Sequence, residues 1–117
     1  MTQVPLNRFD AVTLNGSGNG TAKVGPVNAR EVWSPAIASV RTNQAAVTNE
    51  ASCKIYIGPD TSPPNFVDGT LSGSTGDSTD SVAGQQVRCG QYVFAVWAGG
   101  DPGAQAFLNV TGTSQVG

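Results

Sequence analysis

The sequence predicts an all-β fold, a single antiparallel β-sandwich of roughly seven to nine short strands. Three observations lead there. Apolar and polar residues alternate over short runs, the period of a half-buried strand. Those runs are separated at near-regular spacing by turn-forming clusters, which draw on 15 glycines and 7 prolines in 117 residues. Val, Thr, Phe, Tyr and Trp, which suit a pleated surface, recur along the whole chain.

Each element has its own signal. Residues 9–14 alternate and then meet Asn15-Gly16-Ser17-Gly18-Asn19-Gly20, after which residues 21–24 resume the pattern; the three pieces read as a β-hairpin. Residues 31–33 and 36–40 form a second strand region, interrupted by Pro35, which has no amide to donate and belongs at an edge or a bulge. Residues 52–57 alternate again and turn Cys53, Ile55 and Ile57 inward. Residues 58–64 are a loop by composition, 66–71 a short strand, and 72–80 a low-complexity run. Val82 and Val87 suggest a further short strand. Gln91-Tyr92-Val93-Phe94-Ala95-Val96-Trp97 is apolar on both faces, which belongs at the centre of a sandwich or beneath a neighbouring subunit. A turn at 99–103 and a last strand at 105–111 complete a second hairpin. The one helical candidate, 43–47, is too short to stand alone. The expected core is Val12, Leu14, Val40, Ile55, Ile57, Tyr92, Phe94, Val96, Leu108 and Val110, in an immunoglobulin-like or jelly-roll-like arrangement.

Composition narrows function. Hydrophobic residues make up 38% and charged residues 12%, with six basic and eight acidic side chains and a net charge of −2. The basic residues are scattered, so the clustered cations that displace counterions from nucleic acid are missing, and no nucleic-acid partner is expected. No apolar run reaches the ~18 residues of a membrane helix, and residues 1–5 lack the basic and apolar regions of an export signal. The expectation is a soluble chain, made in the cytoplasm, with no membrane partner. Cys53 and Cys89 could staple a sandwich, a link worth about 3–4 kcal/mol in the chain-entropy model. Without an export signal they are expected to be reduced and mostly buried.

No enzyme is expected. There is no histidine, hence no Ser-His or Cys-His pair, no zinc site and no cofactor motif. The Gly-rich run 15–20 lacks the spacing of a phosphate-binding loop and leads into a strand. Asp68, Asp77, Asp80 and Asp101 sit among Ser, Thr and Gly, where carboxylates are well solvated. Residues 76–80, with Asp68, offer oxygens that calcium accepts, but a capped turn explains them better. Trp33, Trp97, Tyr56 and Tyr92 are the rings on which a sugar could stack, and the core or an interface between subunits accounts for them equally well.

The runs 12–22, 31–35 and 90–103, the last reading Gly90-Gln91-Tyr92-Val93-Phe94-Ala95-Val96-Trp97-Ala98-Gly99-Gly100-Asp101-Pro102-Gly103, resemble a family of small virion-associated structural proteins of tailed phages infecting actinobacteria. The resemblance covers most of residues 11–112. It rests on turns and strands and transfers no catalytic or ligand-binding residue. It implies an accessory structural protein of the virion, on the capsid, neck or tail, whose partners are other virion proteins in a homo-oligomer or symmetric array. A carbohydrate-binding module for host attachment is the alternative. The expected division is an extended N-terminal arm over 1–8, a sandwich over 9–112 and a tail over 113–117. The arm, with Val4, Pro5 and Leu6, is expected to lie along a neighbour; together with Trp33 and Trp97 these make the candidate interface.

Overall fold

The computed structural model describes residues 3–43, 51–72, 78–81 and 86–116. Their nine strands are β1 (Gln3–Thr13), β2 (Gly20–Val24), β3 (Glu31–Asn43), β4 (Ala51–Gly58), β5 (Phe66–Ser72), β6 (Ser78–Ser81), β7 (Val87–Arg88), β8 (Tyr92–Ala98) and β9 (Gln105–Val116). They form two antiparallel sheets packed into a β-sandwich, as the alternation predicts. One sheet has the order β1-β9-β3-β6, with β7 also on β3; the other has the order β2-β8-β4-β5. The helical candidate lies outside the described residues except for Asn43, which ends β3.

Neither expected hairpin is one. β1 pairs with β9 and β2 with β8, so the Gly-rich turn at 15–20 carries the chain from one sheet to the other. The turn at 99–103 does the same between β8 and β9. Both are arches, and they dock on each other: the Gly100 amide donates to the Gly18 carbonyl at 3.0 Å, and the Gly99 amide to Asn19 Oδ1 at 3.2 Å. Asn15 shapes the first arch by accepting the Ser17 and Asn19 amides on its Oδ1. Gly18 is required here, because its φ is 75° and an added Cβ would run into the Gly100 backbone.

The arches decide which faces turn inward. β8 lies in the middle of its sheet, and Val93, Ala95 and Trp97 enter the core between the sheets; Phe94 is buried as expected, but on the outer face, where Tyr92 and Val96, also expected in the core, are only partly buried. Size explains the choice. The inward rows place Trp97 between Gly20 and Cys53, and Ala95 between Ala22 and Ile55, so small neighbours leave room for one indole. Leu14, Val40, Ile55, Leu108 and Val110 are buried as expected, with Val12 and Ile57 packed against them. Trp33 and Trp97 are 1% and 0% exposed, and both indole N–H groups lack an acceptor. Burying such a donor costs about 1–3 kcal/mol, so the rings are held by packing.

Pro35 sits at a bulge, as its chemistry demands: the ladder with β9 shifts between Pro35 and Ile37. On the other side of β3, β7 pairs at Val32 and Trp33 and β6 pairs from Ile37 onward. Pro35 lies between these two described pairings. Gly112 lies opposite, and an added Cβ there would sit 2.8 Å from the Ala36 nitrogen.

The ends of the chain need correction. Residues 3–8 are extended, but they form the first half of β1, paired with β9 from Gln3↔Gln115 onward, and Leu6 is 3% exposed in the domain's own core. Pro5 is tolerated because β1 is an edge strand. The Leu14 amide donates to Ala104 of the β9 side, so Pro5, on the opposite parity, directs its missing donor toward the free edge. Residues 113–116 are likewise the end of β9, with Ser114 buried, rather than a tail.

The two sheets differ in length. β1, β3 and β9 have 11, 13 and 12 residues, and β2, β4, β5 and β8 have 5, 8, 7 and 7. At about 3.4 Å per residue the long sheet outruns the short one by ~14 Å. The arches hold the sheets level at one end, so the excess lies at the other, in a molecule extending 47 × 25 × 20 Å.

Candidate functional site

The long overhanging end and the outer faces of the two sheets carry the features that core packing leaves unexplained. On the outer face of the long sheet, Phe9, Asn109 and Ser39 stand opposite one another across β1, β9 and β3, and Ala11, Phe107 and Arg41 form the next row. Thr111 continues the face two residues beyond Asn109 along β9. All of these but Ala11 line a groove of about 390 Å³. The Phe9 and Phe107 rings are stacked, with centroids 5.8 Å apart and planes 24° apart. The Arg41 guanidinium carbon lies 5.0 Å from the Phe107 centroid. Phe9 is 58% exposed, and Asn109 Oδ1 is buried without a hydrogen-bond donor.

The outer face of the short sheet presents a second row: Lys23, Phe94, Tyr56 and Phe66 are successive partners across β2, β8, β4 and β5. Tyr56 meets Phe66 edge-on at 5.6 Å, Tyr92 meets Phe94 edge-on at 5.6 Å, and the Lys23 ammonium lies 4.5 Å from the Tyr92 centroid. Rings inclined at 74° and 61° pack against each other and offer no common plane to a ligand. This row explains why β8 is apolar on both faces.

At the overhanging end, Val4, Ser114, Trp33 and Val87 share one inward row. Trp33 is sealed beneath the Arg8 guanidinium, 5.8 Å from its ring, while Ser114 Oγ donates to Glu31 Oε2 at 2.9 Å. Val4, at the β1 edge of this row, and Val116, two residues past Ser114 on the same face, are half exposed. The two sheets are also stitched along the adjoining edge: the Lys23 amide of β2 donates to Asp10 Oδ2 at 3.0 Å.

The sequence-derived candidates therefore separate. Val4 and Pro5 remain at the surface, whereas Leu6, Trp33 and Trp97 are core residues and offer no interface or sugar platform. Asp101, expected to be solvated, is buried within the second arch. Asp68 lies in β5 and Asp80 in β6; Asp77 lies outside the described residues. Among the described residues, no group of three or more His, Cys, Asp or Glu comes together to hold a metal. Cys53 is buried in β4, and Cys89, expected to be buried, is an exposed thiol after β7.

The chain matches no protein-family model, and no curated protein is detectably similar to it. Sequence reasoning missed the groove because Phe9, Phe107 and Asn109 look like ordinary strand residues until β1, β9 and β3 are placed side by side. Asp60 is a different case. Its carboxylate accepts the Ser62 hydroxyl and amide and the Asn65 side-chain amide. The Ser62 hydroxyl, then the Ser62 amide and Asn65, hold its pKa below the usual 3.8. The cluster closes the 58–65 loop and needs no ligand.

Proposed function

We propose that this protein is an accessory structural component of a tailed-phage particle, acting through contacts with other virion proteins and synthesised in the host cytoplasm. The reading rests on the resemblance carried by residues 12–22, 31–35 and 90–103. Two of those runs are the arches that dock on each other, so they belong to one structural unit. The observation that best supports a contact-making role is the overhanging end of the long sheet. There Val4 and Val116 are half exposed on the inward face beyond the cover of the short sheet. A neighbour that continues the short layer would bury both, and symmetry would repeat the gain at each copy.

Purified particles tested by mass spectrometry and cryo-EM should contain the protein at a fixed copy number, with this end against a neighbour. Val4→Asp and Val116→Asp should fold normally and be depleted from particles. Normal incorporation of the double variant, or absence of the wild-type protein from particles, would overturn the reading.

A further inference from the structure

We propose that a groove at the overhanging end, between β1 and the connection 25–30, is a docking site for an acidic peptide segment of a neighbouring protein, whose side-chain carboxylate is taken by Arg8 and Lys23. The inference rests on the contact-making role for the source of its partner, and deepens that role by naming the chemistry of the contact.

The groove, of about 370 Å³, forms where the chain crosses from the end of β2 to the start of β3. Its charged members are Arg8 of β1, Lys23 of β2 and Glu31 of β3. The bond from the Lys23 amide to Asp10 Oδ2 holds the two edge strands together, and Arg8 lies two residues from Asp10 on the same face of β1. The two cations therefore reach one groove from opposite sheets, while Asp10 stands outside its lining.

Both cations are placed in advance and keep hydrogen-bond donors to give. The Arg8 guanidinium lies over the buried Trp33, 5.8 Å from its ring, and the Lys23 ammonium lies 4.5 Å from the Tyr92 centroid. Tyr92 is fixed in turn by Gly25, where an added Cβ would come 2.6 Å from Cδ1 of the ring, and by the edge of Phe94. A ring face attracts the charge and leaves most of the N–H donors unspent. Among the described residues the Lys23 ammonium has no hydrogen-bond acceptor, and the Arg8 guanidinium has the Asn7 carbonyl at 3.5 Å, the outer limit of such a bond. A carboxylate thus meets two cations that need little reordering, and pairs with them through charge-assisted hydrogen bonds.

Glu31 and the rim select a peptide over a simple anion. Glu31 Oε2 already accepts the Ser114 hydroxyl, and its charge leaves the lining with one net positive charge. That suits one carboxylate and disfavours a phosphate dianion or a nucleic-acid backbone. A peptide also brings backbone N–H groups, which the second oxygen of Glu31 can accept. Val27, 92% exposed on the rim, would be covered by an apolar side chain next to the carboxylate.

The full chain is titrated at low salt with the peptide acetyl-Ala-Val-Glu-Val-Ala-amide, with the same peptide carrying Gln in place of Glu, and with inorganic phosphate, each followed by backbone amide shifts. The expected result is that the Glu peptide binds tighter than the Gln peptide by about fivefold or more, with shifts centred on residues 8, 23–27, 31 and 92. That advantage should vanish in about 0.5 M salt, where charges a few ångströms apart are screened, and phosphate should give no saturable shift at these residues. Arg8→Gln and Lys23→Gln, both at exposed positions, should each weaken the Glu peptide severalfold and leave the Gln peptide unchanged; Lys23→Gln does so with the Arg8 cover over Trp33 intact. No binding of either peptide, equal affinity for both, phosphate bound as tightly as the Glu peptide, or unchanged affinity in Lys23→Gln would each overturn the proposal. These outcomes involve no particle, so they are read separately from the incorporation of the Val4 and Val116 variants.

Discussion

Replacing Leu6 with alanine tests whether the first eight residues belong to the domain or merely precede it. Leu6 is 3% exposed, lies on β1 opposite Gly112, and packs in the same core as Trp33 and Val110. Leu-to-Ala changes in cores cost about 2–5 kcal/mol, depending on how far the surroundings collapse into the space. Leu6 sits on an edge strand near the open end, where β1 can settle inward, so the lower part of that range applies, about 2–3 kcal/mol. For a domain of this size each kcal/mol lowers Tm by roughly 4 °C, which gives a fall of about 8–12 °C. Deleting residues 1–8 should cost more, because it also removes the Arg8 cover over Trp33 and half of the β1 ladder. The buried Trp33 and Trp97 report unfolding by fluorescence without a label. Val4→Ala, at a half-exposed position in the same strand, is the control and should cost less than about 1 kcal/mol. A fall of less than about 2 °C for Leu6→Ala would refute the packing argument and return residues 1–8 to the status of a free arm.

Gly112→Ala should destabilise by more than about 1 kcal/mol in chemical denaturation, because the added Cβ meets the bulge at Pro35; a neutral result would mean that the bulge can relax. In the native protein a thiol reagent should modify Cys89 rapidly and Cys53 only after denaturation, and equal labelling of both would contradict their placement. The Asp60 carboxyl should titrate below 3.8 by NMR, and Ser62→Ala should raise its midpoint toward that value. Because the folded value is depressed, the stabilisation that it brings is complete above the unfolded pKa and disappears as pH falls through the folded one. An Asp60 midpoint at or above 3.8 would remove that dependence.

Local pattern made the strands and turns legible. Alternation marked β4 and β9, Pro35 marked the bulge, and the Gly- and Asn-rich runs marked the points where the chain reverses. The same pattern misled in definite places. A hairpin and an arch have the same local signature, two alternating runs around a flexible turn, so only the pairing of β1 with β9 and of β2 with β8 distinguishes them. Likewise, a strand apolar on both faces has no inward side of its own.

The sequence by itself determined that this chain is all-β, where most of its strands lie and which residues must turn, but not that β1 starts at Gln3, that β9 runs to Val116 or that Ser78–Ser81 is a strand. Tertiary structure alone decided that Trp97 rather than Phe94 packs between the sheets and that Leu6 is the domain's own. It also decided that Phe9, Phe107, Arg41 and Asn109 meet on one face. The physical reason is range. Alternation and turn chemistry act between residues a few positions apart. Sheet partners here come from opposite ends of the chain, and which faces they bury depends on the volumes that meet across the interior.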